Sequence, residues 1–132
     1  MYFLSVENHF SSAHQLREYK GKCENLHGHN WLVKLTVMGK ELGHAGMLID
    51  FKDLKAALKT VMEYLDHGFL NEIKPFDKIN PSAENIACYI FEEMKTALSK
   101  KSSIITVYKV DIWESEKSCA TYINPEAGFY HV

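Results

Sequence analysis

Residues 23–38 read Cys-Glu-Asn-Leu-His-Gly-His-Asn-Trp-Leu-Val-Lys-Leu-Thr-Val-Met, an imidazole-rich polar head running into an apolar, β-prone tail. From His29 onward the residues alternate, with His29, Trp31, Val33, Leu35 and Val37 on one parity, the period of a half-buried strand. Upstream, residues 2–14 (YFLSVENHFSSAH) alternate as well, placing Leu4, Val6, Asn8, Phe10, Ser12 and His14 on one side. If these two strands pair antiparallel, the end of the first meets the start of the second. His14 then faces the His27/His29 pair across the ladder.

Beyond Asp50 the period changes. Phe51, Leu54, Leu58, Val61 and Leu65 are spaced for one helical face, and Asp50 and Asp53 are placed as an N-cap and N3 pair. Residues 68–80, with Gly68 and Pro75, read as a loop. In Asn80-Pro81-Ser82 either polar residue can cap a second helix, whose buried stripe is Ile86, Ile90, Met94 and Leu98. After residues 100–103 the alternation returns. Thr106, Tyr108, Val110, Ile112 and Glu114 share a parity, and a last strand runs through residues 119–123. The order ββααββ predicts an α+β fold: a four-stranded antiparallel sheet with two helices on one face. Its other face and its edges need covering, so a homo-oligomer is expected.

The chain has 132 residues, which predicts a single domain over 1–132. With 46% hydrophobic and 24% charged residues it can bury a core, and disorder, collagen-like repeats and coiled coil are excluded. Fifteen Lys+Arg against seventeen Asp+Glu leave a net charge of −2, too weak a field to gather nucleic acid or an anionic membrane. There is no basic leader and no membrane-length apolar run, so the expected location is the cytoplasm. The three cysteines, at 23, 88 and 119, are an odd count without CxxC spacing, which reads as reduced thiols. Cys88 and Cys119 are expected to be core thiols.

The densest chemistry is the head of the opening stretch. In an extended His27-Gly28-His29 segment both imidazoles share a face and Gly28 permits a tight bend. His14 would add a third neutral nitrogen, leaving one position open as in catalytic zinc sites. Cys23 reads as a fourth ligand, an inert thiol or an activated base, and Lys20, Lys22 and the imidazoles favour its thiolate. Asp66-His67 closes the first helix and reads either as a C-terminal His with Gly68 as the stop or as a proton-transfer pair. Glu114 points toward a buried face, where a carboxylate needs N–H donors such as those of a guanine or pterin ring, or else turns to solvent at the strand end. Glu84 suits a helix first turn.

Taken together, Cys-x-x-x-His-Gly-His, Leu65-Asp66-His67, Pro81-Ser82-Ala83-Glu84-Asn85 and Trp113-Glu114 resemble the 6-pyruvoyltetrahydropterin synthase family over nearly the whole chain. The short Cys-to-His spacing is most similar to the bacterial 6-carboxy-5,6,7,8-tetrahydropterin synthases of queuosine biosynthesis. The resemblance implies a tunnelling fold (T-fold) whose subunits join through sheet edges into an oligomeric barrel, a trimer or dimer of trimers with sites at subunit boundaries. It implies Zn2+ on His14, His27 and His29, proton transfer by Cys23 with Asp66 and His67, a pterin anchored by Glu114, and Ser82 and Glu84 as substrate-binding residues. The implied substrate is 7,8-dihydroneopterin triphosphate. The implied products are 6-carboxytetrahydropterin, acetaldehyde and triphosphate, which makes the protein a lyase. Arg17, Lys20 and Lys22 are candidates to steer the triphosphate or ordinary solvated charges.

Glu24 complicates the match. A related subgroup carries Glu-x-x-His-Gly-His, uses the acid as base, and forms 6-hydroxymethyl-7,8-dihydropterin for folate synthesis. Cys23-Glu24-x-x-His27-Gly28-His29 satisfies both patterns, so a dual-activity enzyme stands beside the single-product one, with Glu24 as a second base or as a turn residue. A 6-pyruvoyltetrahydropterin synthase is a further alternative. A zinc- or purine-binding module without turnover is the reading from another class, and Cys23, Asp66 and His67 speak against it.

Overall fold

The computed structural model describes residues 1–21, 24–128, 130 and 132. Strand β1 (Tyr2–His14) and strand β2 (His27–Gly39) form the long antiparallel ladder, in register from Tyr2 opposite Gly39 to His14 opposite His27. Helix α1 (Phe51–Leu65), a short strand β3 (Gly68–Phe69), helix α2 (Ala83–Ser99) and strands β4 (Thr106–Ser115) and β5 (Ser118–Ile123) follow. The sheet order is β3-β1-β2-β4-β5.

Both helices lie on one sheet face, α1 against β1 and α2 against β4 and β5. Asp50 caps α1 by accepting the Lys52 N–H at 2.8 Å, and Ser82 caps α2 by accepting the Asn85 N–H at 3.2 Å. Trp31, Val33, Leu35 and Val37 of β2 are fully buried beneath the helix stripes of Leu54, Leu58, Ile86, Ile90 and Met94. The opposite face carries Glu7, His9, Asn30 and Lys34. There Lys109 pairs with Asp111 at 3.4 Å, and the Asp111 carboxylate also accepts a hydrogen bond from Thr121.

Three expectations are corrected. The sheet is five-stranded and mixed rather than four-stranded and antiparallel, because β3 pairs parallel to β1 through Ser12/Gly68 and Ala13/Phe69. Two residues carry no periodicity, so this stretch reads as loop from sequence. The parity of β4 also breaks. Thr36 opposes Lys109 while Val37 opposes Val107, so Tyr108 is the extra residue of a β-bulge. Val107, Val110 and Ile112 therefore join the core, whereas Tyr108 packs edge-on to Phe3 and Tyr130, at centroid distances of 5.3 and 6.0 Å. Thirdly, Cys119 is exposed and Cys88 half-buried, so neither is a core thiol.

Asn124 secures that bulge: its backbone N–H donates to the Tyr108 carbonyl at 2.8 Å and its side-chain amide to the Val107 carbonyl at 2.9 Å. Asn124→Ala would leave the Val107 carbonyl buried without that donor, which should cost about 1–3 kcal/mol. Urea unfolding followed by Trp31 and Trp113 fluorescence measures this, and an unchanged midpoint would show that the side chain is dispensable.

Candidate metal centre and active site

The β1/β2 ladder ends where the chemistry begins. His14 lies opposite His27, and Ser12 opposite His29, so the three imidazoles share the core-facing parity at the open end of the two strands. Trp31 forms the floor beneath them, edge-on to His14 and His29 at 5.0 and 5.3 Å. A fourth ligand-type atom comes from a second bulge. Trp113 pairs with Cys119 and Ser115 with Ser118, leaving Glu114 without a register partner and free to turn. Its Oε1 lies 2.9 Å from His29 Nε2, 3.3 Å from His14 Nε2 and 3.8 Å from His27 Nε2.

Backbone carbonyls fix the tautomers. His14 Nδ1 lies 2.7 Å from the Pro81 carbonyl and His27 Nδ1 2.9 Å from the Asn25 carbonyl. A carbonyl only accepts, so each Nδ1 carries the proton and each Nε2 of a neutral ring presents a lone pair. Those two Nε2 atoms are 2.9 Å apart. Two facing lone pairs at that distance repel unless a cation lies between them or one ring is protonated. His29 Nε2 is buried with no aligned hydrogen-bond partner, although Glu114 is close by, and burial pushes its pKa down against the pull of Glu114. Four ligand atoms from His14, His27, His29 and Glu114 lie within 4.8 Å of one another. The donor set fits a divalent metal: three imidazole nitrogens, one carboxylate, and outer carbonyls orienting two of the ligands.

Glu24 reaches this centre from the segment before β2. Its carboxylate accepts the Leu16 N–H at 3.2 Å, and the same oxygen lies 3.7 Å from His27 Nε2. It is thus both a backbone-anchored turn residue and a neighbour of the cluster. Cys23 lies outside the described residues. Asp66 and His67 are in direct contact, with Nδ1 2.6 Å from Oδ2. They are docked on β1: Asp66 accepts the Ser11 N–H at 2.7 Å, and the His67 N–H donates to the Ser11 carbonyl at 2.6 Å. The buried Ser12 hydroxyl donates to the Leu65 carbonyl and accepts the Gly68 N–H. His67 sits at φ +54°, a left-handed conformation costly for a non-glycine residue and held here by these bonds.

His67 and His29 line one open cleft of about 620 Å³, and Glu114 and Glu84 line a second of about 410 Å³ beside β5. The two clefts flank the imidazoles. Ser82 is committed as acceptor to the helix cap, which leaves its hydroxyl hydrogen available. Arg17, a steering candidate, donates instead to the carbonyls of Asn71, Phe76 and Ile79 at 3.2, 2.6 and 3.2 Å. Lys20 is exposed, and Lys22 lies outside the described residues. The sequence reading missed the orienting carbonyls of Pro81 and Asn25, and Ser11 and Ser12 beneath Asp66-His67. Backbone carbonyls leave no trace in side-chain identity, but Ser12, a hydroxyl on the core-facing parity between Phe10 and His14, was a usable signal.

An α+β sheet with a metal-ligand cluster at the open end of its long ladder and an acid–imidazole pair docked on the same strand is suited to metal-assisted proton transfer. The sequence profile of 6-pyruvoyl tetrahydropterin synthase matches residues 3–125, and the chain belongs to that family. It is 32% identical over 130 residues to a 6-carboxy-5,6,7,8-tetrahydropterin synthase of Synechocystis, covering 95% of both chains. The solved 6-pyruvoyl tetrahydropterin synthase of Caenorhabditis elegans superposes with a TM-score of 0.78 at 32% identity, covering 94% of this chain and 97% of that one. A Plasmodium vivax 6-pyruvoyltetrahydropterin synthase, solved with a catalytic glutamate replaced by cysteine, superposes at 0.69 with 26% identity, covering 92% and 96%. Such synthases are lyases, and the chain is an enzyme of this type.

Two outcomes are expected. Metal-free protein titrated with cobalt(II) should take up one ion per chain and gain thermal stability as it saturates, and His29→Ala should weaken uptake by about 10-fold or more. Uptake unaltered in His29→Ala would place the metal elsewhere.

The Ser11 N–H, helped by His67, holds the Asp66 carboxyl below the usual carboxylate range against the effect of partial burial. A depressed folded pKa stabilises above the unfolded value of about 3.9 and loses that contribution as pH falls through the folded one. Asp66→Asn should therefore be less stable than wild type near neutrality, and the two stability curves should converge as pH falls below the ordinary carboxylate range. Parallel curves would remove this role.

Proposed function

We propose that the protein carries out the zinc-dependent conversion of 7,8-dihydroneopterin triphosphate to 6-carboxy-5,6,7,8-tetrahydropterin, acetaldehyde and triphosphate, the queuosine-precursor reaction. The observation that carries the reading is the convergence of His14, His27, His29 and Glu114 at the end of the β1/β2 ladder, in a sequence where Cys23 and Glu24 shortly precede His27. The name of the Synechocystis relative favours the carboxy-forming product.

Zn2+ held by the three imidazoles would supply Lewis acidity toward the substrate's side-chain hydroxyls. Three nitrogen ligands suffice for such a site, so the Glu114 carboxylate is free to accept N–H groups of the pterin ring in the cleft it shares with Glu84. Ser82 offers its hydroxyl hydrogen at the same helix start. The Cys23 thiolate takes a proton from a side-chain carbon. Asp66 orients His67 through Nδ1, which leaves Nε2 to give or receive a proton on the opposite side.

A second reading rests on Glu24. Its carboxylate is at the cluster, 3.7 Å from His27 Nε2, where a second base would stand. The catalytic glutamate of the Plasmodium vivax protein supports an acid in that role. Two bases at one site would give a dual enzyme that also forms 6-hydroxymethyl-7,8-dihydropterin.

The working unit is proposed to be a homo-oligomer, a trimer or dimer of trimers. Among the described residues β1 has only Ser12 and Ala13 paired on its outer edge, and the outer edge of β5 has no partner strand. Action in the cytoplasm is part of this reading; among the described residues no helix is long and apolar enough to cross a membrane.

The test is anaerobic incubation of reduced, zinc-replete protein with 7,8-dihydroneopterin triphosphate and mass identification of the pterins. 6-Carboxytetrahydropterin with acetaldehyde is expected, falling by about 10²–10⁴-fold in Cys23→Ala. Any 6-hydroxymethyldihydropterin should vanish in Glu24→Ala. A metal-loaded protein that leaves the substrate untouched would overturn the reading.

A further inference from the structure

The three residues after β1 are held as a strand would be, but by side chains. On one edge the Gln15 N–H donates to Asn71 Oδ1 at 2.9 Å, and Asn71 Nδ2 donates to the Gln15 carbonyl at 2.7 Å. Two residues on, the Arg17 N–H donates to Asn80 Oδ1 at 2.8 Å, and Asn80 Nδ2 donates to the Arg17 carbonyl at 3.0 Å. Each primary amide thus supplies the donor–acceptor pair that a neighbouring strand residue supplies in an antiparallel ladder. On the other edge the Leu16 N–H donates to the Glu24 carboxylate at 3.2 Å, and the Glu24 N–H donates to the Leu16 carbonyl at 3.0 Å. Gln15 Nε2 adds a bond to the Glu24 carbonyl at 2.6 Å.

The loop that carries the asparagines is itself tied down. The Arg17 guanidinium bridges the carbonyls of Asn71, Phe76 and Ile79, and Asn85 Nδ2 donates to the Asn80 carbonyl at 2.9 Å. Pro81, next in sequence to Asn80, gives the carbonyl that accepts from His14 Nδ1 at 2.7 Å. Residues 14–17 therefore form a single reference for two groups at the metal cluster: the Pro81 carbonyl on one side and the Glu24 carboxylate on the other.

We propose that Asn71 and Asn80 are positioning residues of the active site, whose side-chain amides clamp residues 15–17 and thereby set both the tautomer of His14 and the place of Glu24 against His27. Neither asparagine is among the four groups that converge on the candidate metal position. Their action passes through Gln15, Arg17 and Pro81. An aspartate at either position would keep the acceptor and lose the donor, and would set a charge against a carbonyl. The inference rests only on the metal-site part of the proposed function.

The test uses the full chain with Asn80→Ala, Asn80→Asp and Asn71→Ala, and Asn124→Ala as a destabilised control whose lesion lies at the β4 bulge. Cobalt(II) affinity is measured against a competing chelator, together with the visible ligand-field band and the urea stability of the metal-free form. The alanine variants should bind cobalt about 10-fold or more weakly with an altered band. Asn80→Asp, which keeps the acceptor for the Arg17 N–H but sets a carboxylate against the Arg17 carbonyl, should also bind more weakly than wild type with an altered band, and the control should lose stability while keeping wild-type affinity and band. Wild-type affinity and band in the folded Asn71 and Asn80 variants would overturn the proposal, as would an equal loss in the control. If Asn80→Ala does not fold, Asn71→Ala and Asn80→Asp decide. A protein that binds cobalt as expected yet turns over no pterin would overturn the proposed reaction and leave this inference standing.

Discussion

Pairing β1 to β2 with Phe10 opposite Trp31 and His14 opposite His27 is the constraint on which the rest of the structure hangs. Because side chains alternate along a strand, a slip of one residue would send Trp31, Val33 and Leu35 to the polar face and take two of the three imidazoles with them. The register is locked by burial. Trp31 is completely enclosed, stacks on Phe10 at 5.8 Å and donates its indole N–H to the Ser12 carbonyl at 3.3 Å. Enclosing a large side chain is worth about 1.5–3 kcal/mol, so the apolar core enforces the alignment that the polar end exploits. Site and core are the same ladder read at two ends.

That alignment brings lone pairs together at a cost. Facing Nε2 atoms of His14 and His27, with both Nδ1 protons committed to carbonyls, form an arrangement that a folded chain with both rings neutral and no cation between them would relax if it could. It is held by groups that cannot move independently: Pro81 precedes a capped helix, and both strands continue into the core. Rigid support of this kind is what metal ligands need, since the ion gains most when the ligands are already placed. Glu114 differs. As the extra residue of a bulge it has freedom of aim that a ladder residue lacks, which suits a carboxylate that can serve either the metal or a ring.

Both helices, the long strands and the His14/His27/His29 cluster were legible because each depends on period or spacing. Leu54, Leu58 and Leu65 mark their helix stripe, and alternation marks β2. What escaped has no periodic signature. β3 is two residues long and exists because Ser11 and Ser12 capture the turn at Asp66-His67. The Tyr108 bulge shifts parity by one, and a period of two cannot reveal where an extra residue is inserted. Arg17 read as a free cation near the entrance and is spent on three carbonyls, a role that depends on a loop fold the sequence does not encode locally. Glu24 was left between base and turn; its bond to the Leu16 N–H is a turn contact, and its approach to His27 depends on a loop conformation that spacing does not reveal.

The remaining asymmetry lies in exposure. His14 is 2% exposed, whereas His67 is 83% exposed, although both line the proposed reaction site. An imidazole in open water gains little from a neighbouring carboxylate, because the solvent screens the pair. If Asp66 and His67 move protons, they need a wall that this chain alone does not provide among its described residues. Among the described residues the outer edge of β1 before Ser11 and the outer edge of β5 have no partner strand, and Asp66-His67 is docked on β1 at Ser11, where that open stretch ends. A second copy paired to the open stretch of β1 before Ser11 would bring protein surface toward the exposed side of His67. The same contact that removes a free edge would then lower the dielectric around the acid–imidazole pair, so that assembly and proton transfer would share one physical cause.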